Sequence, residues 1–322
     1  MKTRRPGRRT GVLGETSVFL LLLFAAACSP SAPPSTSAND SGTAGEHEAA
    51  TPDAPLIEGD FQVVSWEEVY AAGDLEWAWA IASDHGDLEK IEVLLGRGFD
   101  PDTPIGNEEY KRPALVEAAW HGYEAVLDRL LAAGADPMGR EWFSEDIPFY
   151  EPGKGDTALH KAAAHGRASI VRKLLAAGVP VDVVGIQDRT PLASAAGDFE
   201  TFRVLLEAGA DVERAGGLDR LFDAAVGSDS LETASFLLSR GASIEGEEAK
   251  RDHGYTPLWT ATTLGSYEMA LFLLERGADP SVRPGGKPLA DLAREGGHEE
   301  VAELLGRALA GERLRPAVES TP

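Results

Sequence analysis

Residues 155–182, GDTALHKAAAHGRASIVRKLLAAGVPVD, restrict the possible folds more than any other stretch. Thr157 is placed to N-cap a helix, its hydroxyl accepting one of the unpaired N–H groups of the first turn. Leu159, Ala162 and Ala163 follow at i, i+3 and i+4 and make a narrow apolar stripe. His165-Gly166 interrupts, and Ile170, Val171, Leu174 and Leu175 form a second, bulkier stripe. Gly178 then falls at C′, where positive φ suits glycine. A helix–turn–helix of this size cannot shield both stripes from water. It must stack on copies of itself.

Copies are present. Thr190-Pro191-Leu192 heads a unit ending at Asp211, and Thr256-Pro257-Leu258 heads another ending at Asp279. Others occupy 77–100, 113–136 and 220–243, with a weaker one at 287–305. The closing glycines Gly98, Gly134, Gly178, Gly209, Gly241 and Gly277 lie 36, 44, 31, 32 and 36 residues apart. A period near 33 with a T-P-L-H-like opening resembles the ankyrin-repeat family, over about residues 65–310. Thr157-Ala158-Leu159-His160 and Thr256-Pro257-Leu258-Trp259 come nearest that opening, and the G-A-D endings recur in phase. The expected fold is an all-α ankyrin solenoid of about seven helix–turn–helix units with finger loops. Two units are shortened between their helices, near Gly197 and Gly227, and a bend is expected there.

The N-terminus reads differently. Lys2, Arg4, Arg5, Arg8 and Arg9 precede the apolar run Val18–Phe24 and the small residues Ala25-Ala26-Ala27, so 1–27 reads as a secretory signal. Cys28, the single cysteine, resembles the acylated residue of a bacterial lipoprotein, although Ala25 stands where that signal usually has leucine. That implies a lipid anchor in the bacterial envelope, with Ser29 compatible with outer-membrane sorting. Cleavage after Ala27, giving a secreted or soluble periplasmic protein, is the alternative. Residues 28–55 then form a Ser/Pro/Ala/Thr tether expected to be disordered, 56–310 the repeat domain, and 311–322 a tail. Ser65-Trp66-Glu67-Glu68 is a capping box opening an N-terminal cap helix.

The formal charge is −23, and removal of 1–27, which carries +4, leaves −27. Such a body repels nucleic acid and anionic lipid headgroups, and its field favours a cationic partner. The resemblance implies a protein partner, no cofactor and no catalysis, and a monomer is expected.

Candidate contact residues follow from the insertions and from the inner helices. The 44-residue step contains PMGREWFSEDIPFYEPGKG, whose Trp142, Phe143, Phe149 and Tyr150 show neither helical nor strand periodicity. A long aromatic loop in a repeat array marks either a contact surface or a cover for its own repeats. Asp100–Arg112 and Ile244–Gly254 read as acidic finger loops without calcium-site spacing. On the inner helices, positions three apart and off the apolar stripe read Ile81 and Asp84, Glu117 and Trp120, Lys161 and Ala164, Ser194, Asp223 and Val226, Thr260 and Thr263. Trp120 is expected to join the 140–155 loop in an aromatic patch ringed by carboxylates. Trp79, at the position of Leu159, is core, and Trp259, at that of His160, packs between units.

Catalytic and metal motifs fail on spacing. His85, His121 and His165 precede the inter-helix glycine in three successive units, about 8–10 Å or more apart, too far to share a zinc ion. His298-Glu299-Glu300 has Ala302 where a zincin needs histidine, and Gly153-Lys154 lacks the leading glycine of a P-loop. The sequence therefore reads as an envelope-anchored interaction module, scaffold or adaptor. An inhibitor neutralising a toxin or hydrolase is the alternative, and an enzyme or small-ligand binder ranks below both.

Overall fold

The computed structural model describes residues 70–71, 73–144, 153–247, 255–312 and 314. All lie in one of two compact units of the chain, Pro55–Pro322. The signal segment, Cys28, the 28–55 tether, the 65–68 capping box, Phe149, Tyr150 and most of the tail lie outside the described residues.

Among the described residues seven helix pairs succeed one another. They are α1 Leu75–Asp84 with α2 Leu88–Gly96, α3 Ala114–His121 with α4 Glu124–Ala132, and α5 Ala158–Ala164 with α6 Ala168–Ala176. Then come α7 Pro191–Ser194 with α8 Phe199–Glu207, α9 Gly217–Gly227 with α10 Leu231–Ser239, α11 Pro257–Leu264 with α12 Tyr267–Glu275, and α13 Leu289–Glu295 with α14 Glu299–Leu309. Inner helices pack in order, α1 on α3, α3 on α5, α5 on α7, α9 on α11 and α11 on α13. Outer helices form a second row, with α2 on α4, α6 on α8, α8 on α10 and α12 on α14. This is the all-α solenoid expected from the period.

The division of labour follows side-chain volume. Ala158, Ala162 and Ala163 on α5 are buried, and their small size lets neighbouring inner helices approach; Ile170, Val171 and Leu174 on α6 are buried and fill the space between rows. Thr157 caps α5 as expected, with His160 reaching back to it. At the end of α6 the chain makes a Schellman close: Gly178 N–H donates to Leu175 O, Val179 N–H donates to Leu174 O, and Gly178 sits at φ +92°. Trp79 is buried, its Nε1–H donating to Thr103 O at 3.1 Å. Trp259 is half-buried and packs edge-on against Tyr255, ring centroids 4.7 Å apart.

One shortening is present and the other is not. α7 has four residues and runs into a single 3₁₀ turn, Ala195–Gly197, so this unit is cut short as expected. Near Gly227 nothing is missing. Arg167 N donates to Ala162 O in the third unit, and Ser230 N donates to Ala225 O in the fifth, so the turns have equal length. Asp229, at φ +57°, takes the place of Gly166 at φ +66°. The equivalences shift by one residue: Ala224, not Asp223, stands where Lys161 stands, and Val226 is buried core.

A small antiparallel sheet is the feature without a sequence signal. β1 Ile105–Gly106 pairs with β2 Tyr110–Arg112, forming the first finger, and β2 pairs with β3 Trp142–Phe143 from the next connection. Asn107 Oδ1 accepts from the N–H groups of Glu109 and Tyr110 and sets the hairpin turn. The start of the aromatic loop is therefore the third strand of the preceding finger. Among the described residues no helix is long and apolar enough to cross a membrane.

Candidate functional site

The inner-helix positions named from the sequence form a surface whose character changes along the array. Asp84, Ala164, Gly227 and Thr263 are exposed, and Ile81, Trp120, Lys161, Ser194, Ala224 and Thr260 are half-buried. The later units thus offer small neutral groups, while the second and third concentrate rings and charge.

Trp120, at the end of α3, lies between two imidazoles. His121 stacks on it at 5.7 Å and 9°, and His165 of the next unit at 5.7 Å and 24°. Tyr123 extends the column beyond His121, at 5.3 Å and 18°. Lys161 Nζ stands 5.2 Å from the Trp120 ring centroid, within cation–π range. The sequence placed these histidines as turn residues, which they are, but did not show that the tryptophan of one unit bridges the turns of two. Trp120 makes this column with the histidines; its expected partners from the 140–155 loop, Trp142 and Phe143, sit on the finger sheet instead.

Glu117 was expected on the rim, and the structure buries it. Its carboxylate receives Arg112 Nε–H and lies 2.9 Å from His121 Nε2, and Arg112 also reaches Asp84 Oδ1 at 3.1 Å. Partial desolvation of its carboxyl by the neighbouring finger, then the nearby Glu117 charge, raises the Asp84 pKa from its ordinary value, against the pull of Arg112. Glu117 thus ties the finger to α3 and offers no free carboxylate.

Lys161 joins the inner face to the loop. Its Nζ lies 3.0 Å from Glu141 Oε2 and 3.5 Å from Asp156 Oδ2, with both carboxylates buried. Tyr110 Oη–H donates to Glu141 Oε1, and Phe143 packs on the Tyr110 ring at 4.8 Å. Asp156 accepts from Arg189 Nη2 at 2.8 Å and from Ile186 N at 3.1 Å. Burial raises the Glu141 pKa more than Lys161 and the Tyr110 hydroxyl lower it. For Asp156, burial pushes upward, but Arg189, His160, Lys161 and the Ile186 N–H together hold the carboxyl below its ordinary range. Only glycine admits this nest: a Cβ at Gly155 would meet Glu141 O at 1.8 Å, and one at Gly185 would meet Asp156 Oδ1 at 2.3 Å. Glu141, Asp156 and Arg189 had no sequence signal, because each finds its partner across a repeat boundary.

Trp142 is 40% exposed and Phe143 half-buried, so the strand divides the two aromatics between solvent and sheet. Asp223 is half-buried and spends one oxygen on Glu247 N at 3.0 Å. Among the described residues no group of three His, Cys, Asp or Glu side chains could hold a metal ion.

Residues 139–215 and 217–284 match the family described as ankyrin repeats (3 copies). The chain is 30% identical over 232 residues to the ankyrin repeat and KH domain-containing protein mask-1 of Caenorhabditis elegans, covering 70% of this chain and 8% of that protein. It is 38% identical over 89 residues to the ARF GTPase-activating protein GIT2 of Mus musculus, covering 27% of this chain and 12% of that protein. The chain thus spans about a tenth of the length of these curated relatives. The solved human ASB11 ankyrin repeat domain matches with 22% identity and a TM-score of 0.49, covering 70% of this chain and 96% of that one.

Proposed function

We propose, from the premise that residues 139–215 and 217–284 of this chain belong to the ankyrin-repeat family, that it docks a protein partner on the inner-helix face around Trp120 and the adjoining finger. Ankyrin repeats are protein–protein interaction modules, and a stacked array is ordered before it binds, which spares the entropy of folding on contact. The observation that carries the reading is the ring column Tyr123–His121–Trp120–His165 with Lys161 beside it. A half-buried tryptophan held rigidly between two rings loses little freedom on contact and can bury further aromatic area, as interface hot spots do. The net charge of −23 supports a partner that is basic overall, since the field accelerates its approach.

The test is partner capture from an envelope extract by the full chain and by Trp120→Ala. Loss of about tenfold or more in captured partner, with unchanged helical circular dichroism, is the expected result. Equal capture by the variant overturns the reading. The tether is the second part of the proposal: Cys28 anchors the body to an envelope membrane. Cys28→Ser is expected to move the protein from the membrane to the soluble fraction, and a variant that stays with the membrane has another anchor.

A further inference from the structure

One boundary between helix pairs is joined differently from those beside it. The first pair is tied to the second by Arg129 on Glu92 at 3.7 Å and by Tyr123 Oη–H donating to Asp84 O. Lys173 ties the third pair to Glu124 and Asp128 of the second, and Arg172 on Glu200 at 2.6 Å ties the third to the fourth. The Ser266 hydroxyl donating to Asp229 ties the sixth pair to the fifth. Between the fourth and fifth pairs, among the described residues, no side-chain hydrogen bond or ion pair crosses. The outer helices meet there through rings alone, Phe199 and Phe202 of α8 on Phe236 of α10, with centroids 5.6 and 6.2 Å apart. We infer that this boundary is a hinge, at which pairs five to seven turn as a block against pairs one to four, between two arrangements of the outer row.

The closing turns show the break. Asp136 N donates to Asp102 of the preceding connection, Asp211 N to Asp182, and Asp279 N to Glu245. Pro180 holds that position in the third pair and has no N–H. Ser243 N, the corresponding donor of the fifth pair, turns instead to Asp219 of its own pair at 2.7 Å.

The outer helices carry the parts of a second arrangement. Arg172 reaches Glu200 from the fifth position of α6 to the second of α8. The same positions of α8 and α10 hold Arg203 and Glu232. Arg203 does not cross: it pairs with Glu200 and Glu207 of its own helix, at 2.6 Å each. Glu232 is exposed, has no ion pair, and lines a groove of about 500 Å³ with Phe199, Phe236 and Phe272. A rotation that closes α10 on α8 trades one exposed ion pair for another. Such a trade is nearly neutral, so the two arrangements lie close in free energy.

The pivot is built for the movement. α7 ends after four residues, and α9 packs chiefly on the single turn Ala195–Gly197 that follows it. Gly216 and Gly217, at φ +106° and +85°, open α9 and can absorb a change of chain direction. Apolar contact is not directional, so the rings can slide where an ion pair would hold. The Trp120 column lies wholly in the first block, and a partner reaching from it to the later inner helices would select one arrangement.

The test measures distances between nitroxide labels in the full chain carrying Cys28→Ser. Labels at Glu89→Cys and Ala177→Cys lie within the first block, and labels at Ala177→Cys and Glu268→Cys span the hinge; all three positions are exposed. The expected result is a narrow distribution for the first pair of labels and two components for the second. Glu207→Gln, which loosens Arg203 from its own helix, should enlarge the shorter component about twofold, the worth of one exposed ion pair. Glu232→Gln should remove that gain. A spanning distribution as narrow as the control overturns the hinge. Two components that ignore both substitutions overturn the exchange of Arg203 between its partners, and with it the inference.

Discussion

At His160 the ring accepts Thr157 N–H through Nδ1 at 3.2 Å and faces the Arg189 carbonyl through Nε2 at 3.0 Å, which assigns the proton to Nε2 and leaves the ring neutral. Burial lowers its pKa to about 4, and Arg189 and Arg140 add to the effect against the pull of Asp156. The unfolded chain gains a proton near pH 6.5 that the folded chain refuses until about 4. Stability from this residue is therefore whole above pH 6.5, falls as pH drops from 6.5 to 4, and changes no further below that. The full loss is about 3 kcal/mol. Asp84 and Glu141, whose pKa values are raised, act in the opposite sense on acidification, so the informative measurement is a comparison. Urea midpoints taken between pH 7 and 4.5 should decline more steeply for the native chain than for His160→Gln. Parallel curves would mean that the ring accepts its proton inside the fold.

The elements show which parts of the structure the sequence can announce. Each inner helix repeats a small stripe and each outer helix a large one, in phase with a closing glycine, so the helix pairs and Trp79 as core were readable from spacing. The sheet was not, because strands of two and three residues have no period and β3 pairs with a finger about thirty residues earlier. Trp120 was visible as a large ring among small neighbours, but its contact with His165 depends on how closely two units stack. Glu117 was misplaced on the rim because Arg112, which draws it inward, comes from the finger. The shortening expected near Gly227 is absent because the chain turns at Asp229, where φ is +57°. That turn is directly testable. Asp229 also accepts the Ser266 hydroxyl, so Asp229→Gly exchanges a surface hydrogen bond for an unstrained turn and should change stability by less than about 1 kcal/mol. Asp229→Val forces a β-branched residue into left-handed backbone and should cost about 1–2 kcal/mol. Denaturation midpoints of the two variants decide it, and equal values would show that the turn tolerates another conformation.

For the molecule as a whole, stacking in file makes stability local in a way a globule does not allow. Among the described residues each pair packs chiefly on its neighbours, so free energy is a sum of unit and interface contributions. Leu174 on α6 and Leu305 on α14 are equally buried, and truncation of either to alanine should cost about 2–5 kcal/mol where it acts. The consequences should differ. α6 lies mid-array, so opening its unit breaks interfaces on both sides and exposes the inner rows of two neighbours. α14 contacts α13 and α12, and its unit can open alone. Amide exchange should therefore show Leu305→Ala losing protection over residues 289–309 while α5 and α6 keep theirs, and Leu174→Ala losing protection well beyond its own pair. A loss spread evenly over every helix in both variants would mean that the array folds as one cooperative body. The stiffness assumed for the inner face would then depend on the whole array, because no unit could yield without the rest.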